Sequence, residues 1–258
     1  MILRKHENFP SQTLKNQRDL VIYLPPGYED QPDRRFPVLY LQDGQNLFDP
    51  STSFVPGMDW RVGQTADHMI GSRAVAPLII VGIYNTGKHR IREYTPTRAP
   101  KLGGGSANRY ARFLIHELKP FIDFQYRTLG DREHTGLGGS SLGGLVSLYV
   151  GLKFSNIYGR LAALSPSVWW NERSMHRFAS TLRISLRPKI WLDIGTNEGP
   201  QIAHDVGNFR DILLQRGWQH GHDLNYQVVE GAEHNEAAWA QRVGPVLQFL
   251  FPATRSNV

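Results

Sequence analysis

The residue pattern with the clearest chemical meaning is Gly139-Ser140-Ser141-Leu142-Gly143, in which a serine stands between two glycines. A short run of apolar residues and glycines precedes it, and a helix-forming run at residues 145–152 follows it. Strand, sharp turn and helix are the context of a nucleophile elbow, in which a strained backbone exposes a serine hydroxyl above the end of a sheet. The helix N-terminus favours negative charge at that position. The pattern therefore predicts that Ser141 is a nucleophile, provided that partners follow it in the chain.

A serine hydroxyl becomes a good nucleophile when a neutral histidine takes its proton and a carboxylate orients that histidine. His234 lies in the loop between the last strand-like segment and a terminal amphipathic segment. Glu198 lies in the loop beyond the preceding strand, at the edge where catalytic groups gather in open α/β sheets. Asp193 is the rival acid, but it lies inside that strand and should point into a face of the sheet. We therefore favour Glu198, and the order serine, acid, histidine is that of α/β-hydrolases.

Attack on a carbonyl group places negative charge on its oxygen, and backbone N–H groups can stabilise that charge. One donor is predicted to be the N–H of Leu142, directly after the serine. The second should come from a loop after an earlier strand. The turn Asp43-Gly44-Gln45 follows such a strand and offers the N–H of Gln45 or of Gly44. An ordinary Asp-Gly turn is the alternative interpretation of this segment.

A sheet must position these residues, and the chain alternates strand-like with helix-like segments. Several of the apolar runs are nearly continuous, as in parallel strands buried on both faces. The predicted strands are residues 19–24, 38–42, 78–84, 135–138, 161–164, 190–194 and 226–229. The predicted helices are residues 63–70, 108–121, 144–154, 174–182, 202–215 and 236–251. The alternation predicts an α/β fold with a mostly parallel sheet and helices on both faces.

Length and composition favour one globular domain spanning residues 1–258. Of the 258 residues, 40% are hydrophobic and 20% charged, which is enough for a large core. No run approaches the roughly 18 apolar residues that a membrane helix needs, and the first residues lack an apolar signal region. The absence of cysteine excludes disulfides and thiolate metal sites and fits a reducing compartment. We expect a cytoplasmic protein without a membrane partner, and a secreted mature form is the alternative.

The net charge of +6 is concentrated in one segment of the chain. Residues 88–112 contain seven lysines and arginines against one acid, Glu93, so their excess equals that of the whole chain. A local basic segment indicates a small anionic partner more than a long phosphate backbone, and no nucleic-acid-binding motif accompanies it. A solvated loop and helix surface is the alternative. We expect no nucleic acid partner.

Three segments of the chain together resemble the putative esterase family of α/β-hydrolases. They are residues 40–45, the elbow at residues 139–144, and the late segment at residues 231–236. The resemblance extends through most of the chain, from about residue 19 to residue 251. The family includes enterochelin-type trilactone esterases, feruloyl and acetyl-xylan esterases, S-formylglutathione hydrolase and mycobacterial mycolyltransferases.

The resemblance implies an α/β-hydrolase fold and ester chemistry that requires no metal or organic cofactor. The family's serine, acid and histidine fall on Ser141, Glu198 and His234, and its second oxyanion amide falls on Gln45. The acid is aspartate in some relatives and glutamate in others. The resemblance thus implies the reaction class more closely than the substrate.

Candidate substrate contacts come from two further segments. The basic segment follows a predicted strand and should lie at the edge of the sheet that carries the site. There Arg90 or Arg92 could bind a carboxylate or phenolate of a substrate, although Arg92 could instead pair with Glu93. Trp169 and Trp170 follow the strand after the elbow and are candidates for lining the acyl or alcohol site. Core packing is the alternative for at least one of them.

The segment between Pro166 and Lys189 holds only about two dozen residues, which is too short for a large lid domain. We therefore expect an open pocket and small soluble esters. We predict a serine carboxylic-ester hydrolase that acts through an acyl-enzyme. The enzymatic alternatives are hydrolysis of anionic aryl or siderophore-like esters, of trilactone or feruloyl type, and acyl transfer to an alcohol. A catalytically silent binding protein with the same fold is the non-enzymatic alternative.

Overall fold

A twisted eight-stranded sheet forms the centre of the protein, and a two-stranded ribbon lies outside it. The computed structural model describes residues 1–253. The strands are β1 (Ile2–Ser11), β2 (Asn16–Leu24), β3 (Val38–Gln42), β4 (Ile79–Ile83), β5 (Arg98–Ala99), β6 (Gly103–Gly104), β7 (Thr135–Ser140), β8 (Arg160–Leu164), β9 (Lys189–Gly195) and β10 (Leu224–Val229). β5 and β6 form the ribbon.

The strand order in the large sheet is β1-β2-β4-β3-β7-β8-β9-β10. β2 pairs antiparallel with both β1 and β4, and every later neighbouring pair is parallel. The prediction of a mostly parallel sheet is confirmed. Because β3, β7, β8, β9 and β10 run in the same direction, the loops after all five strands meet at one edge of the sheet.

Nine α-helices connect and cover the strands in residues 1–253. They are α1 (Val62–Gly71), α2 (Arg90–Tyr94), α3 (Ala107–Phe113), α4 (Lys119–Gln125), α5 (Ser141–Lys153), α6 (Trp170–Thr181), α7 (Pro200–Gln215), α8 (Glu236–Ala240) and α9 (Val243–Leu250). A π-helical segment, Leu114–Leu118, joins α3 to α4. None of the helices in this part of the chain has the length and apolar character needed to cross a bilayer.

Helices cover both faces of the sheet, as predicted. Side chains along a strand alternate between its two faces, and β2 shows the alternation directly. Leu20 and Ile22 belong to one buried cluster, together with residues of α3, α5, α6 and α7. Val21 and Tyr23 belong to a second cluster, together with residues of α1 and α9. Two separate hydrophobic cores therefore hold the sheet rigid beneath its loops.

Two predicted helices are interrupted, and a proline lies at each interruption. A proline lacks the N–H that a helix interior requires and clashes with the carbonyl one turn earlier. Residues 236–251 form α8 and α9 instead of one helix, and Pro245 lies in the first turn of α9. The predicted helix 108–121 continues to residue 125 through the π-helical segment, and Pro120 follows that segment at the start of α4.

The first strand, β1, was not predicted from the sequence. It is an edge strand with mostly exposed residues, so its formation requires no apolar run. Charged side chains on an edge strand also hinder pairing with other chains. The segment between β8 and β9 holds a single helix, α6, and residues 1–253 contain no large separate lid domain, as predicted. Residues 171–173 of α6 have left-handed backbone angles, so its regular part begins at Ser174, where the helix was predicted to start.

Candidate active site

The elbow forms a sharp turn between β7 and α5. Ser141 is the first residue of α5 and has a φ angle of 54°, in the left-handed region that non-glycine residues rarely adopt. A Cβ atom on Gly139 or on Gly143 would lie 2.9 Å from the Cβ of Gln42 on β3. The two glycines of the motif therefore let the turn pack against the neighbouring strand.

Ser141 and His234 line the same cavity, which has a volume of about 470 Å³. The Oγ atom of Ser141 lies 3.3 Å from the Oγ atom of Ser167. Within residues 1–253, Ser141 and His234 make no direct hydrogen bond, which is common in free enzymes before substrate binds. The cavity is lined by Asp43, Gln45, Asn46, Phe54, Val55, Asn85, Gly87, Arg90, Ser140, Ser141, His234, Asn235, Glu236 and Trp239.

His234 forms a short hydrogen bond with Glu198. The distance from His234 Nδ1 to Glu198 Oε2 is 2.6 Å. The carboxylate is fully buried, whereas the imidazole is 41% exposed. Bonding at Nδ1 leaves Nε2 as the nitrogen available at the cavity side of the ring. The loops after β9 and β10 are adjacent because these strands are paired in parallel.

The other oxygen of Glu198 is held by two further donors. Ser165 Oγ donates to Glu198 Oε1 at 2.5 Å, and the N–H of Gly195 donates to the same oxygen at 2.8 Å. Burial raises the pKa of Glu198, but the hydrogen bonds from His234, Ser165 and Gly195 outweigh it and lower the pKa below its ordinary value. Glu198 is therefore a carboxylate at neutral pH.

Asp193, the rival acid, lies inside β9 and is completely buried. Its carboxylate accepts hydrogen bonds from Arg242 Nη1 at 2.6 Å, Trp191 Nε1 at 2.7 Å and the N–H of Ser165 at 3.0 Å. Burial raises the pKa of Asp193, while these donors stabilise its charged form. The structure thus places Glu198, and not Asp193, against His234.

Three residues around this pair were missed from the sequence: Ser165, Trp239 and Arg242. The Trp239 ring packs edge-on against His234, with 5.0 Å between centroids, and its Nε1 donates to Ser165 Oγ at 3.1 Å. Arg242 Nη1 lies 3.3 Å from the same Oγ. An arginine three residues after a tryptophan on the last predicted helix was the available signal, because this spacing places both on one helix face.

The turn after β3 has an unusual backbone. Asp43 has a φ angle of 56°, and a Cβ atom on Gly44 would lie 2.5 Å from the backbone of Gly82 on β4. The glycine therefore permits a close approach to the neighbouring strand. Within residues 1–253, the N–H groups of Gln45 and Leu142 make no turn or loop hydrogen bond to another backbone carbonyl.

Arg90 lines the cavity, but its guanidinium is already paired with Asp43. Arg90 Nε and Nη2 each lie 2.8 Å from an oxygen of the Asp43 carboxylate, and Asn85 Nδ2 donates to the same carboxylate at 2.7 Å. Bidentate pairing of this kind fixes both side chains in orientation. Arg90, which was predicted to contact substrate, therefore holds the turn that carries Gln45.

The other three predicted substrate contacts do not line this cavity. Arg92 lies in a second cavity of about 290 Å³, on the other side of α2. It does not pair with Glu93, which instead forms a buried ion pair with Arg18 at 3.0 Å. Trp170 is buried and donates to the carbonyl of Thr97, and Trp169 is 40% exposed. The alternative of core packing applies to Trp170.

Glu236 and Asn46 were also missed, although both line the cavity. Glu236 is only 4% exposed, and its Oε1 accepts a hydrogen bond from Asn46 Nδ2 at 3.2 Å. Burial raises the pKa of Glu236 above its ordinary value. The position of Glu236, two residues after His234, was the signal in the sequence. No cluster of three or more potential metal ligands occurs in residues 1–253.

Comparisons with known proteins identify the family. A family model described as putative esterase matches residues 11–250. The uncharacterized protein YjcH of Bacillus subtilis is 31% identical over 254 residues, 95% of each chain. The ferri-bacillibactin esterase BesA of the same organism is 32% identical over 157 residues, 55% of this chain and 51% of that protein. A ferulic acid esterase structure has the same fold, with a TM-score of 0.76 and 20% identity over 97% of this chain and 98% of that chain. The chain belongs to the putative esterase family, and its fold is that of the α/β-hydrolases.

Proposed function

We propose that this esterase is a serine carboxylic-ester hydrolase, with Ser141 as nucleophile, His234 as general base and Glu198 as the orienting acid. The observation that carries the proposal is the 2.6 Å contact between His234 and the buried Glu198, beside the cavity that Ser141 and His234 share. A carboxylate at Nδ1 selects the tautomer whose Nε2 can accept a proton, and it stabilises the imidazolium that follows.

In the first half-reaction, His234 takes the proton of Ser141 as its Oγ attacks the ester carbonyl. The N–H groups of Leu142 and Gln45 stabilise the oxyanion of the tetrahedral intermediate. His234 then protonates the leaving alcohol, and the acyl group stays on Ser141. In the second half-reaction, His234 activates a water molecule that attacks the acyl-enzyme, and the acid is released.

The replacement Ser141→Ala tests the nucleophile. We expect it to lower kcat for p-nitrophenyl acetate and butyrate by about 10⁴-fold or more, because members of such a triad act as a unit. Ser185→Ala is the matched control, since Ser185 is exposed and does not line the cavity. Both variants should unfold at the temperature of the parent protein to within a few degrees. Hydrolysis that survives Ser141→Ala would refute the proposal, whereas a parent protein that hydrolyses no ester of the panel would favour a silent binding protein.

The acyl-enzyme itself can be trapped and its fate measured. A slowly hydrolysed ester should add the mass of its acyl group to the peptide that contains Ser141, in the parent but not in Ser141→Ala. The same intermediate allows acyl transfer when an alcohol competes with water. Adding glycerol or methanol and measuring the ratio of transfer to hydrolysis distinguishes the transferase from the hydrolase.

Esters with an aromatic or siderophore-like acid are the second candidate substrate class. Phe54, 82% exposed, and Trp239 provide aromatic surface in the cavity lining, and aromatic rings favour packing against other rings. Two of the named relatives are a ferri-bacillibactin esterase and a ferulic acid esterase. A panel of acetyl, feruloyl, acetylated-sugar and catecholate esters, compared by kcat/KM, separates the candidates. A preference of less than about threefold for aromatic acids would exclude this class.

A further inference from the structure

The proposed mechanism leaves one buried carboxylate in the cavity without a role. Glu236 begins α8 and lines the cavity together with Ser141 and His234. Its side chain is nearly excluded from solvent, with 4% exposure. Burying a carboxylate is costly unless hydrogen bonds compensate it. A glutamate in this position therefore needs donors, either from the protein or from a ligand.

The protein supplies only some of the hydrogen-bond donors that the Glu236 carboxylate requires. Oε1 of Glu236 accepts a hydrogen bond from Asn46 Nδ2 at 3.2 Å. Among residues 1–253, Asn46 is the only other residue that donates a hydrogen bond to this carboxylate, and the backbone N–H of Glu236 itself also stabilises its charged form. Burial raises the pKa of Glu236, and nearby Asp43 adds to the rise. One oxygen of Glu236 thus stays available as a hydrogen-bond acceptor at the wall of the reaction cavity.

The surroundings indicate what kind of donor fits. The other carboxylate of the lining, Asp43, is neutralised by its bidentate pair with Arg90. His234 and the neutral amides of Asn46 and Asn235 are among the polar groups that line the cavity with Glu236, and Phe54 and Trp239 contribute apolar surface. A cationic ligand is disfavoured here because the guanidinium of Arg90 lies in the same lining and would repel it. One free acceptor beside amides and apolar surface suits a neutral hydroxyl group on an apolar body.

We propose that Glu236 forms a hydroxyl-binding subsite, in which its free oxygen accepts a hydrogen bond from a hydroxyl group of the ester substrate. The inference rests on the proposed function, because it places this ester in the cavity beside Ser141. The hydroxyl group can belong to the acid, as in a phenol, or to the alcohol, as in a polyol. Either source presents the same O–H donor to the carboxylate.

Matched pairs of esters test the subsite and separate the two sources. For the acid, the pair is methyl 4-hydroxycinnamate and methyl 4-methoxycinnamate; for the alcohol, it is 2-hydroxyethyl and 2-methoxyethyl benzoate. Each methoxy ester differs from its partner by one methyl group, which removes the hydrogen-bond donor. Dissociation constants are measured by calorimetry on full-length Ser141→Ala, so the comparison does not depend on turnover. The same measurements are repeated on the double variant that carries both Ser141→Ala and Glu236→Gln. The control is the double variant with Ser141→Ala and Glu230→Gln, since Glu230 is an exposed residue of the same loop.

We expect the hydroxy ester of one pair to bind about tenfold more tightly than its methoxy partner. A hydrogen bond to a charged group typically contributes an affinity gain of about this size. Glu236→Gln should reduce that ratio to about two or less, and Glu230→Gln should leave it unchanged. A purely structural role would weaken both members of a pair equally and would overturn the inference. So would the absence of a preference in both pairs, or no detectable binding of any ester.

A second variant and a kinetic measurement distinguish failure of the subsite from misfolding and from failure of the proposed mechanism. If Glu236→Gln fails to fold, Glu236→Asp replaces it, because it keeps the charge but withdraws the carboxylate by one methylene; the preference should still fall. In the active enzyme, Glu236→Gln should raise KM for the preferred hydroxy ester about tenfold with a smaller change in kcat. Ser141→Ala decides the proposed function separately, so the subsite can fail while the hydrolase proposal stands.

Discussion

At the scale of single residues, a network of buried hydrogen bonds sets the orientation of His234. Glu198 contacts the imidazole with one oxygen, and Ser165 and Gly195 hold the other. Trp239 packs against the same imidazole and also bonds to Ser165. Preorganised hydrogen bonds of this kind cost no rearrangement during the reaction. The sequence indicated the two members of the pair but not the residues that hold them.

Replacement of Arg90 by alanine should reduce the hydrolysis of neutral and anionic esters alike. Without its guanidinium, Asp43 loses a bidentate partner, and the strained turn that carries Gln45 is less well held. Misplacement of a positioned group by about 1 Å can cost about 100-fold in rate, so we expect kcat/KM to fall by about 10- to 100-fold. The control is Arg112→Ala, an exposed residue of the same basic segment. A loss confined to anionic esters would instead assign Arg90 to substrate binding.

Replacement of Glu198 by glutamine should reveal the contribution of its carboxylate to stability as a function of pH. The pKa of Glu198 is lowered in the folded protein from an ordinary value of 4.5, so the unfolded chain binds the proton more readily. The stabilisation is therefore fully present above about pH 4.5 and is lost as the pH falls through the lower folded-state pKa.

The measurement is the free energy of unfolding in urea between pH 3 and pH 7, for the parent protein and for Glu198→Gln. The difference between them should be largest near neutral pH and should shrink below about pH 4.5. Glu230→Gln serves as the exposed control and should show little difference at any pH. A Glu198→Gln difference that is constant over this range would contradict the assigned direction of the pKa shift.

At the scale of elements, the loops after the parallel strands carry most of the residues that line the cavity, and α8 contributes Glu236 and Trp239 on one side. Arg242, between α8 and α9, donates to Asp193 on β9 at 2.6 Å and to the carbonyl of Ala238 at 3.1 Å. This buried ion pair links the segment between α8 and α9 to β9, the strand that leads to Glu198. The break between α8 and α9 thus places a charged residue in the interior.

Replacement of Arg242 by methionine should destabilise the protein strongly, since it leaves Asp193 buried without its charged partner. Breaking a buried pair by removing one member typically costs about 3–5 kcal/mol. Arg4→Met is the control, because Arg4 and Glu29 form an exposed pair at 3.2 Å and such pairs contribute about 1 kcal/mol or less. Urea unfolding at pH 7 measures both. Equal, small shifts of the two midpoints would show that the buried pair is not needed.

Elements with strong local signals were predicted well from the sequence. The buried strands of the sheet and the helix after the elbow have apolar periodicity that depends on nearby residues alone. β1 and the break at α8–α9 were missed because one is an exposed edge strand and the other follows from a proline whose effect depends on its packing. The elbow was predictable because its glycines and its serine occupy a few consecutive positions.

At the scale of the whole molecule, the basic segment at residues 88–112 separates into distinct environments. Arg90 turns toward the reaction cavity and holds Asp43, while Arg92 and Arg109 line the second cavity. Arg112 is exposed on α3. The concentration of positive charge along the chain therefore does not become one patch at the site. A linear count of charges is a poor guide to local fields, because a helix directs neighbouring residues to different sides.

The α/β order of the chain, the elbow at Ser141 and the succession of Ser141, Glu198 and His234 could be inferred from residue order and type. Local turn chemistry and hydrophobic periodicity are sufficient for those inferences. The contact between Glu198 and His234 and the pairing of Arg90 with Asp43 became visible in the folded protein alone. The fold likewise placed Glu236 beside Asn46, 190 positions away in the chain. Such pairings depend on how strands and helices pack, and no local pattern of residues records which distant side chains will meet.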